Sequence, residues 1–153
     1  MHAGQYKPNS FTPVIGAMDL YEYVDMITSN PKRFQEYKET DRNNNDGTTT
    51  RMIIMRQDAL VNRVREQAYR IFILTFTANE INLNKEPERK EERLNKQAQA
   101  IELCEEHLAS IQLCRKHFHL TNKRIKYWGS MTLELRDAIK GWHKSDKTRY
   151  KNI

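Results

Sequence analysis

Glycine is scarce in this chain. There are five, none placed to cradle a phosphate, so neither a P-loop nor a dinucleotide-binding fingerprint is present. A Gly-x-Ser-x-Gly nucleophile elbow is also missing. Carboxylates are plentiful but interleaved with Lys and Arg, the pattern of solvated helix faces, and no catalytic residue is nominated: the chain is read as a non-enzyme that needs no cofactor and no metal. No apolar run approaches the roughly 20 residues that span a bilayer, so no membrane partner is expected. The N-terminus, Met1 to Pro8, has no apolar core of signal-peptide length. With only two cysteines, this points to a reducing, cytoplasmic setting. Cys104 and Cys114 fall ten residues apart on one expected helix, about 15 Å at a rise of 1.5 Å per residue, too far for a disulfide.

Two groups invite a metal reading. Cys104 and His107 are three apart, and Cys114 and His117 repeat that spacing. A single helix separates the pairs too widely to close one tetrahedral site. Cys104 sits on an apolar stripe with the histidines on its flank, so a structural role is expected. The run from Asp41 to Thr50 superficially resembles a calcium loop. Its glycine is at the seventh place instead of the sixth, and its twelfth place is Met52 where a bidentate Glu is needed.

What is abundant is helical periodicity. Strand-like alternation, internal repeats and low-complexity tracts are absent, and 153 residues suit one domain. Residues 1–16, with Gly4, Pro8, Pro13 and Gly16, read as an extended lead-in. A first helix is expected over Ala17–Thr28 with Leu20, Tyr21, Val24 and Ile27 inward. Ser29-Asn30-Pro31 offers a cap and a first-turn proline, so a short second turn covers Lys32 to Glu39, with Phe34 and Tyr37 inward. After the Asn-rich loop, a long helix is expected over Thr50–Asn82, striped by Met52, Met55, Leu60, Val64, Ala68, Ile71, Phe72, Thr75 and Ala78. Residues 71–76 are apolar on most sides, which suits a central helix. Beyond the connection at Pro87, a third helix runs Glu88–Phe118 with Leu94, Ala98, Ile101, Cys104, Leu108, Ile111 and Phe118 inward. Thr121 caps a last helix ending near Lys144, and residues 145–153 read as a basic, mobile tail. Long helices with short connections favour antiparallel neighbours, hence an all-α, up-down four-helix bundle over residues 17–144.

The last helix couples a core signal to a partner signal. Ile125, Trp128, Met131, Leu135, Ala138, Ile139 and Trp142 recur at steps of three and four, while Lys123, Arg124, Lys126, Arg136, Lys140 and Lys144 occupy the other face. The net charge of +6 is uneven: residues 1–50 carry −2, 51–90 carry +3, 91–120 carry −1 and 121–153 carry +6. A basic segment of this kind suits nucleic-acid contact through counterion release. Trp128 and Trp142 lie on the apolar face and are assigned to the core. Tyr127 and Tyr150 are more open to a surface role.

Several blocks carry a resemblance: Leu60-Val-Asn-Arg-Val-Arg-Glu-Gln-Ala68, Thr77-Ala-Asn79, Arg93-Leu-Asn-Lys-Gln-Ala-Gln-Ala100, Thr121-Asn-Lys-Arg-Ile-Lys-Tyr-Trp128 and Ala138-Ile-Lys-Gly-Trp142. In this order and spacing the stretch from Gln57 to Lys144 resembles the accessory variability determinants (Avd) of diversity-generating retroelements. These are four-helix bundles related to proteins encoded in 23S ribosomal RNA intervening sequences. The resemblance implies a non-catalytic subunit, assembled as a ring of five, that binds the retroelement's reverse transcriptase and contacts RNA or DNA through basic surfaces during mutagenic cDNA synthesis. The alternative it leaves open is a bundle protein of the intervening-sequence type, whose role the sequence does not define. Arg63, Arg65, Lys123, Arg124 and Lys126 lie in the matching blocks. With Arg115, Lys116, Lys140 and Lys144 they are the candidate contacts to nucleic acid or polymerase. The Asn43–Thr50 stretch departs from the family pattern as an insertion between the first two helices.

Overall fold

The computed structural model describes residues 7–29, 48–118 and 120–153, and the side chains of these apart from 48–58. Among them are four helices: α1 (Thr12–Thr28), α2 (Thr48–Glu80), α3 (Lys90–His117) and α4 (Asn122–Arg149), with a short 3-10 turn at Pro87–Arg89 leading into α3. The protein is an all-α four-helix bundle. The expected turn over Lys32–Glu39 and the Asn-rich stretch as far as residue 47 lie outside the described residues.

Side-chain partners establish an up-down arrangement. Tyr21 meets Tyr69 and Thr28 meets Arg65, so α1 and α2 are antiparallel. Gln67 meets His107 while Thr77 meets Lys96 across α2 and α3. His107 meets Trp128 while Arg93 meets Asp146 across α3 and α4. Phe11 meets Trp142 while Tyr23 meets Trp128, which closes the ring between α1 and α4. Each helix therefore packs on the helices next to it in the chain, and α1 and α4 pack on each other.

Several helix bounds and two stripes differ from expectation, with α3 shifted only slightly, to Lys90–His117. Helix α1 begins at Thr12, not Ala17, because Pro13 sits in the first turn. Its fixed φ is already helical and its missing N–H costs nothing there. Gly16 is thus helical, and a Cβ at that position would stand 3.2 Å from Leu135 Cδ1, so the glycine permits a close α1–α4 approach. Helix α4 continues through Arg149, so most of the expected mobile tail is helical. The physical cause is Asp146 of α4, which is buried against α3 by its bonds to Arg93 and Gln97. Helix α2 starts at Thr48, two residues earlier than expected, and ends at Glu80. On α1, Leu20, Val24 and Ile27 are buried as expected, but Tyr21 is 42% exposed beside Tyr69.

The α3 stripe is the larger correction. Cys104 and Ile111 are buried, yet Leu94, Ile101 and Leu108 are only half-buried and Ala98 is exposed. The inward line runs instead through Gln97, Ala100, Leu103, Cys104, His107, Ser110, Ile111 and Cys114. Three polar side chains occupy the centre of that face. An apolar-only pattern therefore reads the helix as rotated.

Candidate nucleic-acid interface

Two polar networks explain how the bundle tolerates buried polar groups. At mid-height the indole N–H of Trp128 donates to His107 Nε2 at 3.0 Å. The indole can only donate, so Nε2 accepts and the proton resides on Nδ1, which donates to Gln67 Oε1 at 2.9 Å. His107 is fully buried, and burial depresses its pKa to about 4. It is neither a flanking nor a surface histidine: it locks Trp128, and through it α4, onto α3. Cys104 and Cys114 are buried free thiols, their pKa pushed up to about 12 by desolvation. A raised pKa suppresses thiolate and with it nucleophilicity.

The second network closes the end of the bundle where α2 turns into α3. Arg93 grips Asp146 in a bidentate pair, Nε to Oδ2 at 2.7 Å and Nη2 to Oδ1 at 3.1 Å, and its Nη1 donates to the Ile81 carbonyl at 2.7 Å. Gln97 Nε2 adds a 2.6 Å bond to Asp146 Oδ2, while its Oε1 accepts from His143 Nδ1 at 2.8 Å. The Arg93 guanidinium also lies over the rings of Trp142 and Tyr150, 5.4 and 5.9 Å from their centres. Tyr150 is thus held at this end by Arg93 and Arg149, not presented for an outside partner. Trp142 packs edge-on against Phe11 at 5.0 Å, in the core as expected.

The turn from α3 to α4, at the opposite end, is basic. Helix α3 ends in Arg115, Lys116 and His117, and α4 opens with Lys123 and Arg124, followed by Lys126. Between His107 and Leu133 the chain holds these five Lys and Arg residues and no Asp or Glu. Arg115, Lys116, Lys123 and Lys126 are exposed and Arg124 is half-buried. None of the five has an ion-pair partner among the described residues. Phe118 and Leu120, buried in the connection, tie the two helix ends together.

Helix dipoles make this corner informative. Cations in the last turn of α3 are favourable there. Cations in the first turn of α4 face the positive end of its dipole, where each is disfavoured by roughly 0.3–1 kcal/mol. The first turn holds no acidic residue, and the Thr121 hydroxyl caps it by accepting from the Arg124 N–H at 3.2 Å. The helix dipole therefore gives no stabilising reason for Lys123 and Arg124 at that place.

The nine nominated cations do not form one patch. Five converge at the α3–α4 corner. Arg65 is tied to α1, donating to Thr28 Oγ1 at 2.7 Å and approaching Asp25 at 4.0 Å. Arg63 lines a broad α2–α3 groove of about 710 Å³ that also holds Arg70, Glu66 and Glu106. Lys140 reaches Glu105 at 3.7 Å, and Lys144 is exposed further along α4. At 1.5 Å per residue Lys144 is about 27 Å from Lys126 along the helix. Among the described residues no group of three or more His, Cys, Asp or Glu side chains could hold a metal ion, and no helix is long and apolar enough to cross a membrane.

Sequence reading overlooked Tyr23. Its ring packs at 5.0 Å from Tyr127 and 6.3 Å from Trp128, and its hydroxyl reaches the Arg124 carbonyl at 3.5 Å. A signal was available, since Tyr23 is one step from the Leu20–Val24–Ile27 stripe. Compared with protein-family models, curated proteins and solved structures, the chain has no match.

Proposed function

We propose that this protein is a non-catalytic accessory subunit that binds a retroelement reverse transcriptase and its template RNA or cDNA, supporting mutagenic cDNA synthesis in the cytoplasm. The observation that carries the nucleic-acid half of this reading is the α3–α4 corner: five cations with no acidic residue between His107 and Leu133, two of them set against the dipole of the helix they begin. The polymerase half, and assembly as a ring of five, rest on the resemblance to Avd proteins across Gln57–Lys144. Lys and Arg held on a rigid bundle corner favour phosphates by displacing counterions, so affinity for RNA or DNA falls steeply with salt.

The test has two arms. Copurification with a reverse transcriptase encoded beside it is expected at low salt, and its absence there sinks the polymerase assignment. Binding of labelled RNA and DNA oligonucleotides is measured from low to moderate salt with the wild type and with the quadruple charge reversal of Arg115, Lys116, Lys123 and Lys126 to Glu. A drop of at least tenfold in the variant supports the corner as the contact; equal binding removes it. Sedimentation decides the ring, for which a monomer is the contrary result.

A further inference from the structure

The basic corner carries an aromatic ring whose placement the charge reading leaves unused. Tyr127 is 56% exposed, more than any other large apolar or aromatic side chain described. It directly follows Lys126 on α4 and stands one helical turn beyond Lys123 and Arg124, on their side of the helix. Its ring is not loose. Tyr23 packs against it at 5.0 Å, Tyr23 in turn meets Trp128, and Trp128 is anchored by its bond to buried His107. A chain of rings thus runs from the core to the surface and ends in a half-bare face flanked by cations.

We infer that Tyr127 is a stacking platform for an unpaired nucleobase, so that the corner takes single-stranded nucleic acid in preference to duplex. The inference rests on the reading of the corner as a nucleic-acid surface and specifies its substrate. Every base has a π-face, and a single strand on a basic surface offers those faces to an aromatic side chain. In a duplex they are already stacked on one another. The groove that leaves Tyr127 between α1 and α4, about 340 Å³, is lined by Asp19 and Glu134 further on. Phosphates are repelled from that side and kept over Lys123 and Lys126, which leaves the Tyr127 ring to the base.

A second exposed pair supplies the control. Tyr21 and Tyr69 have ring centres 6.3 Å apart and are about as bare, but they share their groove with Asp25 and Glu66, and the cation lining it, Arg65, is already engaged by Thr28 and Asp25. An acidic setting disfavours a phosphate backbone, so these rings are not platforms.

The experiment measures binding of a labelled 20-nucleotide single strand, as RNA and as DNA, of the matching duplexes, and of an abasic single strand. The proteins are the full chain and its variants Tyr127→Ala, Tyr127→Phe and Tyr69→Ala, each checked for an unchanged melting temperature. Tyr127→Ala is expected to weaken single-strand binding by about 5- to 150-fold, the range of one lost base stack. Duplex and abasic affinities stay within twofold, and Tyr127→Phe and Tyr69→Ala bind like the wild type. Two results overturn the inference while leaving the basic surface standing: Tyr127→Ala without effect, or an equal loss on every ligand, with the quadruple charge reversal still abolishing binding. No binding to any oligonucleotide at low salt overturns both readings together.

Discussion

The two ends of the bundle handle charge in opposite ways. Where α2 turns into α3, a guanidinium and a carboxylate are almost wholly withdrawn from water, with side-chain exposures of 11% and 3%, and every polar atom of the pair that the structure describes is engaged. Where α3 turns into α4, four exposed cations and the half-buried Arg124 have no ion-pair partner among the described residues. A buried charge must be matched within the fold, because desolvation is costly and only good geometry offsets it. An exposed cation costs little, so an unmatched cluster can persist for a partner. One end is therefore organised by folding, and the other is available for recognition.

The largest effect should come from breaking the matched end. Asp146→Ala leaves Arg93 without its counter-charge and is expected to cost about 3–5 kcal/mol in urea unfolding, without changing oligonucleotide affinity in the variant's folded state. A loss below 1 kcal/mol would mean that the pair does not organise this end.

The second effect is acid lability from the mid-bundle network. The folded pKa of His107 lies near 4, below its ordinary 6.5, so the unfolded chain takes up a proton more readily. The stability this histidine contributes is full above pH 6.5 and is lost as pH falls towards 4. The amount is about 3 kcal/mol. Unfolding of the wild type compared with His107→Leu from pH 7.5 to 4 should show a markedly shallower slope in the variant; parallel slopes would refute the assignment.

A third, smaller prediction sharpens the contrast because its two readouts move in opposite directions. Lys123→Glu should raise stability by about 0.3–1 kcal/mol through the α4 dipole while weakening nucleic-acid binding. Lys116→Glu, at the end of α3, should weaken binding and lower stability by a similar amount. If both variants shift stability the same way, the dipole account of the corner is wrong. The smallest effect is reserved for Lys140→Ala. Its pair with Glu105 is about half exposed on both sides, so a change under about 1 kcal/mol and no change in binding are expected.

How far the sequence carried can be traced through particular residues. Leu20, Val24, Val64, Ala68, Ile71, Leu135 and Ile139 were legible as core because apolar residues at steps of three and four have one reading. The cap at Thr121 was legible for the same local reason. Asp146 was not legible: an aspartate in a basic, polar stretch looks like tail until its partner, 53 positions away, is known. His107 was set on the flank and Gln97 was left out of the stripe because hydrophobicity ranks both as surface, whereas Trp128, Gln67 and Asp146 satisfy them inside. The corner was half legible. Its charge is plain in the composition of residues 121–153, but Arg115 and Lys116 join it through the turn of the chain, and Tyr23 reaches Tyr127 from a helix about a hundred residues earlier.

By itself the sequence determined the helical class, the antiparallel order and the positive end, since each follows from local periodicity, short connections and net charge. Tertiary structure alone decided which polar residues belong inside, where α4 stops, and which of nine candidate cations stand together. Those outcomes depend on pairings between distant positions, and a buried polar group declares its place only when its partner is in contact.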